Sequence, residues 1–511
     1  MNTDPRRILW AALIAVFALS SGRFLLDAQE PQADQAKEVW VDTDQKILTE
    51  VQDHNEIMSN LEYLSDMIGG RLTGSDNLTK ASHWTEQRFA AYGLGNVHLE
   101  SWQIAHAWHR GTAMGRIVAP AEHPLALAAY AWTPATPGAV QGRVVYVKAS
   151  SMDELRAYSG KLKGAIVITA EPSLLPPPDA PAPNPMLIPY GDPFLLVAPR
   201  SPEARGIQRG ASFFQYLRQR NQFFKDEGVL ATLTDSGKPD ALLNMTGMGG
   251  EEYKIAPLPA AFVTSENYSL IWRLLKRGPV EVELSLQSTF TDAPVEVYNT
   301  VAEIRGVEKP DEVVVLGAHL DSWDLGTGST DNGTGSMVVL EAARALERLH
   351  VRPRRTIRFI LFSGEEQGLN GSRAYVAAHT AELSKISGVL IHDTGTGRVI
   401  SISLSMNYQA REIMDRVVAP LKAVGLLELS ERTMRGTDHV PFDDAGVPGF
   451  YCIQEPAQYF QTHHTQADTF DQAHEADLVE GAQVLAVWAY NTAELPELLP
   501  RAPAGTKKGE E

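Results

Sequence analysis

The stretch VVVLGAHLDSWDLGTGSTDNGTG, residues 313–335, decides how the rest of the chain is read. Aliphatic residues from Val313 to Leu316 form a buried-type β-run, after which His319, Asp321 and Asp331 follow among five glycines. An open α/β sheet presents its ligands in loops at the carboxyl ends of its strands. The pattern therefore points to a metal site at the end of a strand.

Further runs repeat it. TIRFILF (356–362) is rich in β-formers and stops at Ser363-Gly364-Glu365-Glu366, so adjacent carboxylates emerge where the strand ends. Residues 388–391 stop in the same way at His392-Asp393. A fourth cluster, QTHHTQADTFD (461–471), supplies His463 and His464, with Asp468 close behind. Zinc takes imidazole nitrogen and carboxylate oxygen, at about 2.0–2.2 Å, and these are the groups on offer. Cys452, the only cysteine, cannot build a thiolate site.

Between the strand ends lie helical patterns. Residues 336–349 carry Val338, Val339, Ala342, Ala345, Leu346 and Leu349, which predicts a helix laying one face on the sheet before Pro353. Such β-α-β alternation predicts an α/β fold, a mostly parallel sheet flanked by helices. Residues 39–91 read as helical, with Ile47, Val51, Ile57, Leu61 and Leu64 at near-helical spacing, interrupted by the 69–75 loop. Arg71 in that loop reads first as structural, with a substrate contact as the other reading. Residues 408–424 form another amphipathic candidate, 477–495 a closing helix expected to dock on the sheet edge, and 501–511 a disordered tail.

Near Arg110 the texture changes. Short β-runs at 140–147 and 163–169 bracket a helix-like 151–162, and a strand, helix and strand follow at 258–263, 267–277 and 280–286. Residues 111–294 are thus expected to form a β-rich insert. Inside it, 172–202 is proline-rich and almost uncharged, a surface loop or a flap over the site.

The series HLDSWD (319–324), TDNGTG (330–335), GEEQG (364–368), HDTGTG (392–397) and HHTQADT (463–469) resembles the di-zinc exopeptidases of metallopeptidase family 28. The likeness extends to YLSDMIGGRLTGS (63–75) and AGVPG (445–449). It implies a zinc exopeptidase fold, discontinuous over 29–110 and 295–500, with a protease-associated domain as the 111–294 insert. It also implies two Zn²⁺ per chain. Asp331 would bridge them, His319 and Asp393 would complete one site, and Glu366 and His464 the other. His464 is preferred over His463 for its spacing to Asp468-Thr469. Glu365 would be the general base, and Asp321 the acid that fixes the tautomer of His319. Asp438 and His439, in a loop that approaches substrate in relatives, would recognise a free terminus or steady the oxyanion.

Composition bounds the partners. A formal net charge of −18 argues against nucleic acid and anionic membrane surfaces. With 44% hydrophobic and 21% charged residues over 511, the chain reads as globular, with more than one core. Arg6 and Arg7 before the apolar 8–19 read as a signal peptide over 1–28, sending the protein to the periplasm or the extracellular space, with an uncleaved membrane anchor as the rival. One cysteine means no intrachain disulfide framework. The expected partner is a short peptide, foremost an unblocked dipeptide, and a homodimer is left open. The alternatives are an aminopeptidase on longer peptides, a glutaminyl cyclase relative, which typically uses one zinc, and a non-catalytic binding ectodomain.

Overall fold

The computed structural model describes residues 33–175, 211–247, 255–426, 428–431 and 435–502. The export segment, the 176–202 part of the expected flap and the tail beyond 502 lie outside the described residues. Among the described residues, no helix is long and apolar enough to cross a membrane.

Two eight-stranded sheets form among these residues. In the main sheet the spatial order is Gly95–Ile104, Val295–Ile304, Arg355–Phe362, Lys309–His319, Ile386–Ile391, Gly449–Gln454, Val399–Ser403 and Glu428–Ser430. Its central four strands, from Arg355–Phe362 to Gly449–Gln454, run parallel. A parallel sheet is covered on both faces, so its strands read as continuous apolar runs. Alternate residues of Lys309–His319 bear this out: Val314, Leu316 and Ala318 enter one core, Val313 and Val315 the other.

Register then places the ligand-bearing ends together. His319 pairs with Phe362, and Gly317 with Ile391. The segments 320–331, 363–366 and 392–393 therefore leave the sheet at one edge.

Helices Thr334–Arg348 and Glu475–Glu494 pack against one another beneath the sheet, with Ala33–His54 outside them. The first was expected to bury one face, but it is buried nearly all round. Its second face is closed by a buried ion-pair cluster, with Arg344 donating to Glu341 at 2.7 Å and to Glu50 at 2.9 Å. The closing helix also departs from expectation. It crosses the strands Lys309–His319, Arg355–Phe362, Ile386–Ile391 and Val399–Ser403 rather than capping an edge, because Ala482, Leu485, Ala486 and Ala489 leave a surface small enough to lie flat. The helix read at 408–424 is broken into Tyr408–Ala410, Arg411–Val417 and Ala419–Val424, since Pro420 cannot continue it. Arg501, read as the start of a loose tail, is tied down by donating to the carbonyls of Leu383 at 2.8 Å and Ile386 at 3.1 Å.

The second sheet is built entirely from strands between Trp108 and Phe290. Its first strand, Trp108–Ala119, straddles the expected insert start at 111. A parallel run of Val140–Tyr146, Ile166–Ile168, Ala231–Asp235 and Ala260–Val263 forms its middle.

Candidate metal centre

His319 is the last residue of its strand, and Asp331 sits in the Ser329–Gly333 turn that leads into the buried helix. Glu365 and Glu366 follow the strand Arg355–Phe362, and Asp393 follows Ile386–Ile391. His464 comes just after the short helix Tyr459–Thr462. The fold brings all of them together.

Asp331 is the hub. Its Oδ1 lies 3.3 Å from His319 Nε2, and its Oδ2 lies 3.3 Å from His464 Nε2. His319 Nε2 is also 3.1 Å from Asp393 Oδ1, and His464 Nε2 is 2.9 Å from Glu366 Oε2. Donor atoms about 2.0–2.2 Å from one tetrahedral zinc lie roughly 3.3–3.6 Å from each other, so these separations are near what a shared cation needs. Glu366 Oε1 is buried and accepts no hydrogen bond. The donor set of carboxylates and imidazoles fits zinc, and the closest donor pairs fall into two groups that share Asp331. His463 stacks on His464 at 3.7 Å between ring centroids, with its Nε2 at 3.8 Å from Asp331 Oδ2. It is the more distant imidazole, and Glu366 faces its neighbour.

Electrostatics tell the same story. Burial pushes Glu365 well above the usual carboxylate range and takes Glu366 and Asp468 to about 7. Burial works against protonation of His319 and His464, yet Asp393 and Glu365 hold the first well above its usual value, and Glu366 and Asp331 lift the second to about 9. A buried excess of acid needs cations.

Asp321 meets His319 with both its backbone and its side chain. The group nearest to His319 Nδ1 is the Asp321 backbone carbonyl at 3.0 Å, with the carboxylate at 3.6 Å. That carboxylate accepts from the amides of Glu365 at 3.2 Å and Glu366 at 3.4 Å, and from Thr73 Oγ1 at 2.9 Å. It holds the glutamate turn as well as facing the histidine. Asp438 is buried, accepts from Ser372 Oγ at 2.5 Å and keeps Oδ2 without a donor; burial raises it to about 7. His439 is buried beside Tyr451, with ring centroids 5.7 Å apart.

Residues outside the proposed ligand set also build the site. Asp468 accepts from Thr330 N at 2.5 Å, Thr330 Oγ1 at 2.9 Å and Asp331 N at 3.2 Å, so it fixes the turn that carries the hub. Its nearness to His464 in the sequence was the available signal. Arg71 has no substrate contact to offer. It is fully buried, and its guanidinium donates to the carbonyls of Leu320 at 2.6 Å, Gly69 at 3.1 Å, Thr327 at 2.8 Å and Gly328 at 2.6 Å. A Cβ on Gly328, whose φ is +65°, would run into Ser322 and that guanidinium. Arg71→Met should cost about 3–5 kcal/mol, because several buried carbonyls lose a charged donor together. A urea midpoint unchanged from wild type would contradict this staple role.

Residues 299–489 match Peptidase family M28. Rat carboxypeptidase Q is 31% identical over 512 residues, covering 97% of this chain and 99% of the relative. The mouse protein is 31% identical over 452 residues, 88% of each. Among solved structures, a Peptidase M28 precursor from Shewanella amazonensis SB2B superposes with a TM-score of 0.74 at 27% identity, covering 91% of this chain and 99% of that one. BSAP, a zinc aminopeptidase from Bacillus subtilis, shares the fold with a TM-score of 0.60 at 19% identity, over 85% of this chain and 93% of that one. With the hub carboxylate between His319 at its strand end and His464 after the short helix, and relatives aligned over nearly the whole length, this chain belongs to peptidase family M28.

Proposed function

We propose that this metallo-exopeptidase is exported and hydrolyses short peptides with both termini free, dipeptides foremost, using two zinc ions. Asp331 would hold both ions, His319 and Asp393 one, and Glu366 and His464 the other. The observation that carries the reading is the hub itself, with the two oxygens of one buried carboxylate each 3.3 Å from a different imidazole. Bound zinc would supply electrostatic activation of water and of the scissile carbonyl.

The protein's own groups do the rest. Glu365 Oε2 stands 3.9 Å from His319 Nε2, facing the centre without belonging to the closest donor pairs. It takes the proton from the attacking water and passes it to the leaving amine. Asp321 fixes the backbone of Glu365 and Glu366, so the two adjacent acids keep separate tasks. Asp438 is wholly buried, so terminus recognition is not carried to it; its Oδ2, without a donor, adds to the buried acid around Glu365.

Turnover of one dipeptide in unblocked, N-acylated and C-amidated forms tests the substrate class. Cleavage of the unblocked form alone is expected. Equal cleavage of the C-amidated form would make the enzyme an aminopeptidase instead.

A further inference from the structure

We propose that residues 236–247, which follow the second-sheet strand Ala231–Asp235, are a positioning element for His464, acting through Lys238, Leu243 and Met245. The need for such an element is visible at His464 itself. Its φ is +58°, a left-handed conformation that a residue with a side chain holds only when its surroundings impose it. The surroundings that do so come from the second sheet. Met245 N donates to the His464 carbonyl at 2.6 Å. Leu243 N donates to Gln466 Oε1 at 2.8 Å, and Gln466 Nε2 donates back to the Ala241 carbonyl at 3.1 Å. The loop that carries the histidine is therefore bonded at the histidine and just beyond it.

Lys238 secures the element just upstream. Its Nζ donates to the Phe460 carbonyl at 2.6 Å and lies 4.8 Å from the Phe460 ring. Phe460 belongs to Tyr459–Thr462, a single turn too short to be stable alone, whose last carbonyls have no partner within the helix. A cation at that end satisfies one of them and opposes the negative end of the turn. Lys238 is 2% exposed, and its contacts are a carbonyl and a ring rather than a carboxylate. Burying an ammonium in this way is costly, and burial draws it down to about 7. Arg110 grips the other metal-bearing loop from the same sheet, with guanidinium nitrogens each 2.8 Å from a carboxylate oxygen of Asp324. Residues 236–247 lie outside the 299–489 family match, so the proposed support for His464 comes from outside the segment that carries the donors.

This inference rests on the two-zinc reading above, and one titration separates the two. Zinc binding to the metal-free full chain is measured by competition with a chelator of known affinity, for wild type, Lys238→Met and Gln466→Ala. Wild type should take up two zincs. Each variant should hold one of them about 10–100-fold more weakly, as loss of supporting contacts around a metal ligand usually does. Activity in excess zinc should return with KM unchanged, which a general folding defect would not allow. Should Lys238→Met not fold, Gln466→Ala carries the test, because it unties the loop from the exposed side. Two zincs bound as tightly in the variants as in wild type would overturn the positioning role alone. So would an unchanged zinc affinity in Lys238→Met with a raised KM, which would make Lys238 a substrate group. Failure of wild type to bind two zincs would overturn the functional reading beneath it.

Discussion

Glu365→Gln is expected to lower kcat by about 10²–10⁴, the usual contribution of a positioned general base, with zinc content and KM unchanged. The amide keeps the shape of the side chain, and the backbone N–H still donates to Asp321, so the turn survives. Only the basic oxygen is lost. The same change should stabilise the metal-free protein. Burial raises Glu365, with Asp393, Asp438 and Glu366 adding to it against the pull of His319. An acid whose folded pKa lies above its unfolded one binds more protons when folded, so it costs stability as pH rises past the unfolded value of about 4. Metal-free Glu365→Gln should thus melt above wild type at neutral pH, and the gap should close as pH falls towards 4. A variant that turns over dipeptide at the wild-type rate would remove Glu365 from the reaction.

The contrast between what could and could not be read from the chain has a physical cause. Strand ends carrying His319, Glu365-Glu366 and Asp393 were legible because an apolar β-run and the polar residues that end it are adjacent in sequence, and a parallel sheet delivers such ends to one edge. Lys238 was not, and of Arg71 only the structural reading was, not the bonds that make it so. Each makes its decisive bonds to backbone carbonyls about 220–260 positions away, and a carbonyl leaves no mark in a sequence. The closing helix was legible as a helix from its apolar stripe, yet the stripe does not say whether an edge or a face will receive it. Pro420 was in plain view, and its veto on a continuous helix outweighed the amphipathic pattern around it. The role of Asp321 divided for a similar reason: the family likeness implies the residue, but only the fold decides which of its oxygens meets the histidine.

Asp331→Asn should have the widest effect on metal. Both groups of donors use this one carboxylate, Oδ1 on the His319 side and Oδ2 on the His464 side. An amide in its place presents one oxygen and one NH₂, so at least one side loses its ligand and gains a donor facing a cation. Zinc should fall from two per chain to one or none, and kcat/KM by roughly 10⁴ or more, since the loss of the activating charges adds to the loss of positioning. The loop itself should hold. Asp468 bonds the amides of Thr330 and Asp331 and the hydroxyl of Thr330, and Thr334 Oγ1 donates to the Gly395 carbonyl at 3.0 Å, none of which uses the Asp331 side chain. Thermal unfolding with and without chelator separates ligand loss from misfolding. Wild type should lose stability when zinc is stripped, by about 4 kcal/mol if free zinc had stood at a thousand times its dissociation constant. Asp331→Asn should already melt near the stripped wild type and respond little to chelator. Glu366→Gln and Asp393→Asn, each on one side of the hub, should lose a single zinc. Full zinc retention by Asp331→Asn would mean that the two sites do not share a bridge.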